Sequence, residues 1–188
     1  MIERFLGWLG ETSWSVALLE SLYVWPLVES THVLTLGLFV GTTVMMDLRL
    51  TGIAFRKVPA TAFTGRLLPW TRIGFVIMTA TGLLLFYSQP LRYYHNIFFR
   101  AKVVVLVLAG ANAAIFHAGV HRSAGDWDED ATPPRSARIA GAVSLTAWAV
   151  VVIAGRLIAY NWFDCDLQPQ PAWVNRMAGC GVGAAGAE

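Results

Sequence analysis

Four stretches of the chain are nearly free of charge, and polar segments separate them. They run from Leu22 to Met46, interrupted by Glu29, from Ile73 to Leu91, from Val103 to Val120 and from Ile139 to Ala154. Each approaches the roughly 20 residues that a helix rising about 1.5 Å per residue needs to cross about 30 Å of hydrocarbon. The pattern predicts an all-α integral membrane bundle of four transmembrane helices. Span one is expected from Tyr23 to Leu48, with Trp25 at headgroup level and Pro26 in the first turn, where its missing N–H is tolerated. Span two is expected to follow Pro69 and Trp70 and to end before Pro90. Span three runs from near Asn96 to near His121, and span four from about Arg138 to Trp162, where Tyr160 and Trp162 make an aromatic belt.

Ahead of the first span, residues 1–22 mix Phe5, Leu6, Trp8, Leu9, Trp14, Val16, Leu18 and Leu19 with Glu, Ser and Thr. This stretch predicts an N-terminal interfacial helix. The segment 122–135 carries Asp126, Asp128, Glu129, Asp130 and the Pro133-Pro134 pair, and is expected to be a solvent loop. The domain organisation is then residues 1–22 as interfacial helix, 23–162 as four-helix transmembrane domain, and 163–188 as an extracytoplasmic C-terminal tail. No internal repeat is visible.

Composition agrees with a lipid-solvated chain: 56% of the 188 residues are hydrophobic and 14% charged, against roughly 25% charged in an average soluble domain. A formal net charge of +2, spread between the spans, argues against nucleic-acid binding. The early residues Glu3, Arg4, Glu11 and Glu20 leave no cleavable leader pattern, so the first span is expected to act as its own insertion signal. The positive-inside rule gives orientation. Arg49, Arg56, Lys57, Arg66, Arg72, Arg122, Arg135 and Arg138 lie on one side, eight in all. Arg4, Arg92, Arg100, Lys102, Arg156 and Arg176 lie on the other, six in all. The bias places both termini outside the cytoplasm of a bacterial inner (plasma) membrane. Cys165 and Cys180 then share a tail in an oxidising compartment, where a disulfide between them is expected.

Ionisable side chains inside a bilayer are costly and are functional candidates by default. Glu29 and His32 in span one and Arg156 in span four qualify. Glu29 and His32, three apart, share a helix face that must look at other helices. Arg156 returns to a similar depth, so a structural ion pair of Glu29 with Arg156 is expected. The four histidines are His32, His95, His117 and His121. Imidazoles from two helices can sandwich one haem b. Depth favours His95 as the partner of His32, because His117 lies roughly 15–20 Å deeper. Spacing of one helical turn would let His117 and His121 share a small metal ion, although helix-end complementation is the plainer role for His121. Met45 and Met46 are soft enough for copper. Gly37 and Gly41 make a G-x-x-x-G pattern, with Gly74 and Gly82 in span two, and close helix approach is expected at all four. Asp47, Arg49 and Arg72 sit near the cytoplasmic rim, where a span-end ion pair is expected. No G-x-S-x-G, phosphate-loop, H-E-x-x-H or C-x-x-C-H pattern is present, which argues against a hydrolase, an NTPase, a zinc protease and attached c-type haem.

Several strings taken together resemble a known family. They are Glu29-Ser-Thr-His32, Asp47-Leu-Arg49-Leu, Leu68-Pro-Trp70-Thr-Arg-Ile-Gly74, and Phe99-Arg-Ala-Lys102 leading to Asn112 and Phe116-His117. The chain resembles, from about Leu22 to Ala118, an uncharacterised family of bacterial four-helix membrane proteins, distantly similar to copper-resistance D and cytochrome b561-like membrane proteins. The resemblance implies the topology, and it implies His32 and His117 as haem or metal ligands, with no counterpart for His95. The leading expectation is a membrane haem b electron-transfer protein, or a membrane-anchor subunit, linking a quinone pool to a periplasmic redox partner. In it His32 is one axial ligand, His95 or His117 the other, and Arg156 a propionate partner where it does not pair with Glu29. Two alternatives stand beside it: a copper-handling or small-solute membrane protein using His32, Met45 and Met46, and a cofactor-free structural subunit of a larger complex.

Overall fold

A computed structural model of the protein describes residues 1–119, 127, 128, 130, 132–160, 163, 165 and 169–180. The described residues form helices and connections: α1 (Ile2–Gly10), α2 (Ser13–Glu20), α3 (Val24–Thr51), α4 (Ala60–Ser88), α5 (Pro90–His95), α6 (Ile97–Ala118), α7 (Arg135–Tyr160) and α8 (Ala172–Ala178). α3, α4, α6 and α7 are each long and apolar enough to cross a membrane, and the protein is an integral membrane bundle of four spans. His121, Trp162 and half of segment 122–135 lie outside the described residues.

Three boundaries differ from expectation. The N-terminal stretch is two short helices, because Thr12 ends one and caps the next: its Oγ1 accepts from the Ser15 amide and donates to the Leu9 carbonyl. α4 begins at Ala60, well before Pro69, which therefore lies inside the helix. A proline ring crowds the carbonyl four residues back, here that of Gly65. The six-residue α5, with Pro90 at its start, separates α4 from α6. Asn96 then caps α6 by accepting from the Phe99 amide at 3.1 Å.

α3 packs along both α4 and α7, and α7 packs along α6. Phe39, Ala109, Ala147, Trp148 and Val151 form the central core, with the Phe39 and Trp148 rings edge to face at 4.8 Å. Outward of this core the spans are clothed in exposed apolar side chains such as Leu34, Val76, Val107 and Ile153, as lipid contact requires. α1 carries Ile2, Phe5 and Trp8 exposed with Leu6 buried, an arrangement suited to lying in the headgroup plane. Its partner α2 is pinned to the end of α4 by Thr12 Oγ1 with Tyr87 Oη (2.6 Å) and by Ser15 Oγ donating to the Tyr87 carbonyl (2.8 Å). At this same end α8 docks on the start of α6, where Arg100 Nη1 donates to the Met177 carbonyl at 2.6 Å. Cys165 and Cys180 are bridged, with Cα atoms 5.3 Å apart. We call this the terminal end and the opposite one the loop end.

At the loop end, α3 stops at Gly52, whose left-handed backbone (φ 72°) returns its N–H to the Arg49 and Leu48 carbonyls, a conformation that glycine adopts at no steric cost. Arg49 is 1% exposed. Its Nε donates to the Val58 carbonyl (2.7 Å) and its Nη2 to the Asp128 and Asp130 carbonyls (3.1 Å each). The expected rim ion pair is therefore not made: Asp47 and Arg49 are two apart and meet different neighbours, and the guanidinium holds backbone carbonyls of both connections instead. Asp128 in turn caps α4, its carboxylate accepting from Thr61 N and Thr61 Oγ1 at 2.6 Å each. These Thr61 hydrogen bonds hold the Asp128 carboxyl below the ordinary aspartate value of 3.8. A depressed value means that the cap is complete above the unfolded-state pKa and is lost as pH falls through the folded one. Hydrogen exchange at the Thr61 amide is accordingly expected to lose protection as pH drops below about 4, whereas in Asp128→Asn that protection should be low and nearly independent of pH. A wild-type amide equally protected across that range would contradict the cap.

Candidate functional site

A cavity of about 330 Å³ lies in the terminal half of the bundle. α3 contributes Trp25, Glu29, His32 and Val33, and α4 contributes Gly82, Leu85 and Phe86. Arg92 and Tyr93 come from α5, Phe99 and Lys102 from α6, and Gly155, Ile158 and Ala159 from α7, with Gln89 and Asn96 between. Helical geometry explains the α3 set: positions 25, 29, 32 and 33 follow the i, i+4, i+7, i+8 repeat of a single face. A glycine from each of two helices makes the room. A Cβ on Gly82 would sit 3.1 Å from His32 Cε1, and one on Gly155 would sit 3.6 Å from Lys102 Nζ.

His32 is half-buried, and α4 fixes its ring. Nδ1 lies 3.1 Å from the Met78 carbonyl and 3.0 Å from Thr81 Oγ1. The Thr81 hydroxyl spends its proton on the Ile77 carbonyl at 2.8 Å, so both partners of Nδ1 are acceptors. Nδ1 must then carry the ring proton in neutral imidazole, and Nε2 keeps its lone pair. Among the described residues no hydrogen-bond partner meets Nε2. That is the tautomer of an imidazole prepared to accept a proton or a metal ion through Nε2.

The same cavity wall carries side chains that are unusual in a membrane span. Lys102 is half-buried, and among the described residues it has neither a hydrogen-bond partner nor an ion pair. Glu29, one turn above His32, is likewise without an ion pair there. Burial holds the Tyr93 phenol above the usual tyrosine range, so at neutral pH it is an O–H donor. Phe86 and Phe99 stack at 5.4 Å between centroids, and Tyr93 packs tilted against both at 6.3 and 5.4 Å.

The other expected site residues are elsewhere. Arg156 is exposed, donates from Nη2 to Tyr160 Oη at 3.1 Å and lies over that ring at 4.9 Å. Its neighbours Gly155, Ile158 and Ala159 face the cavity, so Arg156 is rotated off that face and makes no ion pair with Glu29. His95 Nε2 lies 3.4 Å from Glu3 Oε1, tying α5 to α1 outside the cavity. His117 sits about 22 Å along α6 from Lys102, reckoned at 15 residues of rise. His32 is thus joined by neither histidine, and a bis-histidine haem does not fit these residues. Met45 is about 20 Å from His32 along α3, so His32, Met45 and Met46 do not converge on one copper ion. Among the described residues no three His, Cys, Asp or Glu side chains are grouped as a metal site.

Sequence reasoning missed Lys102, Arg92, Tyr93 and the aromatic wall. Lys102 looks like a rim charge in the chain, yet it lies six residues into α6 with an unbroken apolar run after it. That depth was the available clue.

Of Gly37, Gly41, Gly74 and Gly82, the latter two touch α3, Gly74 against the Phe39 backbone and Gly82 against His32, whereas Gly37 and Gly41 have nothing within 4 Å of a Cβ. The G-x-x-x-G face is therefore turned away from the bundle.

Neither the curated proteins nor the solved structures hold a match to this chain. A family model does match, over residues 3–161, and it covers every residue of the cavity wall. The chain belongs to that family, the family of unknown function DUF6644.

Proposed function

We propose that the protein is a membrane subunit that holds the headgroup of a quinone in the terminal-end cavity and links the quinone pool to an extracytoplasmic redox partner. The observation that carries this reading is the fixed tautomer of His32, a wall residue of an aromatic-lined cavity, which leaves Nε2 without a partner among the described residues. A quinol presents hydroxyl donors at opposite edges of a flat ring, and a quinone presents carbonyl acceptors there. His32 Nε2 accepts from the first, while the Lys102 amine and the Tyr93 hydroxyl donate to the second. Trp25, Phe86 and Phe99 supply apolar surfaces for the ring. About 330 Å³ falls at the small end of the roughly 300–1,000 Å³ usual for such sites, which suits a headgroup alone. Val33 belongs to the wall and is 59% exposed, so the mouth reaches lipid, where an isoprenoid tail would stay. In this reading haem b, where the electron path needs it, belongs to a partner subunit. The charge bias of the connections and the Cys165–Cys180 bridge support a bacterial inner membrane with both termini outside the cytoplasm.

Titration of the detergent-purified protein with short-chain benzoquinones and naphthoquinones is the test. Saturable quenching of Trp25 fluorescence is expected, read as the difference from Trp25→Phe. In His32→Ala the Kd should rise about tenfold, the equivalent of one hydrogen bond at about 1.4 kcal/mol. Quenching that never saturates, or an unchanged Kd in His32→Ala, refutes the reading. Reduced-minus-oxidised spectra with b-type bands that vanish in His32→Ala would replace it with haem ligation by this chain.

A further inference from the structure

We propose that Lys102 is a carbonyl-reactive amine, which condenses reversibly with an apolar aldehyde seated in the cavity to form an imine, with Glu29 as counter-ion to the protonated product. Lysines that act this way are desolvated in hydrophobic pockets and left free of a fixed partner. Lys102 meets both conditions: its side chain is half-buried at the cavity wall, and no hydrogen bond or ion pair engages it among the described residues. The absence of a Cβ at Gly155, 3.6 Å from Nζ, leaves space beside the amine for a carbonyl carbon to approach. Phe86 and Phe99 supply the apolar contact that selects a hydrophobic aldehyde over a hydrated one. Glu29 is a carboxylate on the same wall and has no ion pair of its own among the described residues. Intramembrane carboxylates serve as ligand counter-ions, and an iminium would give this one a partner.

The step balances without a further reactant. The Nζ lone pair attacks the carbonyl carbon, a proton passes from nitrogen to oxygen, and loss of water from the carbinolamine leaves the C=N bond. No electron is transferred, and hydrolysis restores lysine and aldehyde. The proposal needs the cavity and not a quinone, so it can stand or fall separately from the reading above.

The chain holds two lysines, and the second, Lys57, is exposed in the α3–α4 connection, where it serves as an internal reference. Detergent-purified full-length protein is treated with cinnamaldehyde and cyanoborohydride at neutral pH, and both lysine peptides are quantified by mass spectrometry. Lys102 is expected to be labelled about tenfold faster than Lys57. Glyoxylate, a charged and hydrated aldehyde, is expected to show no such preference. Lys102→Arg should leave the Lys57 rate unchanged, and Glu29→Gln should lower the Lys102-to-Lys57 ratio at least severalfold. Cinnamaldehyde labelling of Lys102 no faster than of Lys57 overturns the proposal, and an unaltered ratio in Glu29→Gln removes the counter-ion from it.

Discussion

Arg49→Ala is expected to destabilise the protein by about 2–4 kcal/mol, a large share of the roughly 5–15 kcal/mol that holds a typical fold. Among the described residues the Arg49 guanidinium makes no ion pair; its hydrogen bonds go to the carbonyls of Val58, Asp128 and Asp130. Truncation takes the side-chain donor from the Val58 and Asp130 carbonyls, while the Asp128 carbonyl keeps the Ala60 amide at 3.1 Å. A stranded group costs about 1–3 kcal/mol, and the volume of a guanidinium residue only 1% exposed is left empty. The loss also spreads. Arg49 is the link between the α3–α4 connection and the residues around Asp128, and Asp128 caps α4. Arg49→Lys should recover only part of the stability, because an ammonium on a single stem cannot span carbonyls on two connections as a planar fork does. Unfolding in mixed detergent micelles, followed by circular dichroism, measures both variants. A loss below about 1 kcal/mol in the alanine variant would mean that water reaches these carbonyls once the guanidinium is gone.

How far the sequence discloses this molecule depends on which coordinate is asked of it. Position along a span is legible: uncharged runs mark the four crossings, and counting rise puts Glu29, His32 and Arg156 in the same half of the membrane. Rotation about a helix axis is not. Arg156 has the expected depth and the wrong azimuth, and one residue either way decides between the cavity face of Gly155 and the surface where Arg156 meets Tyr160. The same limit separates Gly82, which admits the His32 ring, from Gly37 and Gly41, which touch nothing. Short elements escape for another reason. α5 has six residues, too few for a periodic pattern, yet it carries Arg92 and Tyr93 to the cavity. The α4 start is hidden because a proline reads as a boundary when only local chemistry is weighed, and packing of a long span on α3 overrides it. His32 was legible as a candidate because ionisable groups inside a span are rare. Its tautomer was not, since that depends on Met78 and Thr81, which lie nearly fifty residues away in sequence.

The contrast among glycines gives the second large effect. A Cβ at Gly74 would meet Phe39 Cβ and N at 3.1 Å and Cα at 3.2 Å. Two of those three atoms belong to the α3 backbone, so no rotamer change relieves the contact; the two helices must move apart. The α3–α4 pairing there includes the Thr71 Oγ1 to Thr42 Oγ1 hydrogen bond at 2.9 Å and the Phe39 ring that meets Trp148, and separation loosens both. Gly74→Leu is therefore expected to cost about 3 kcal/mol, since overpacking typically costs 1–3 kcal/mol and a rigid neighbour puts it at the top of that range. The helix propensity gained on replacing glycine, about 1 kcal/mol, works against the loss and is already smaller than it. Gly37→Leu and Gly41→Leu, made on the open face of α3, should keep stability within about 0.5 kcal/mol of wild type or raise it slightly. The three variants are chemically identical and differ in what the added side chain meets, so denaturation in mixed micelles isolates the packing effect. Should Gly74→Leu unfold no more readily than the other two, the close α3–α4 crossing is not what holds these spans, and the His32 ring seated against Gly82 about two turns along would lose its support as well.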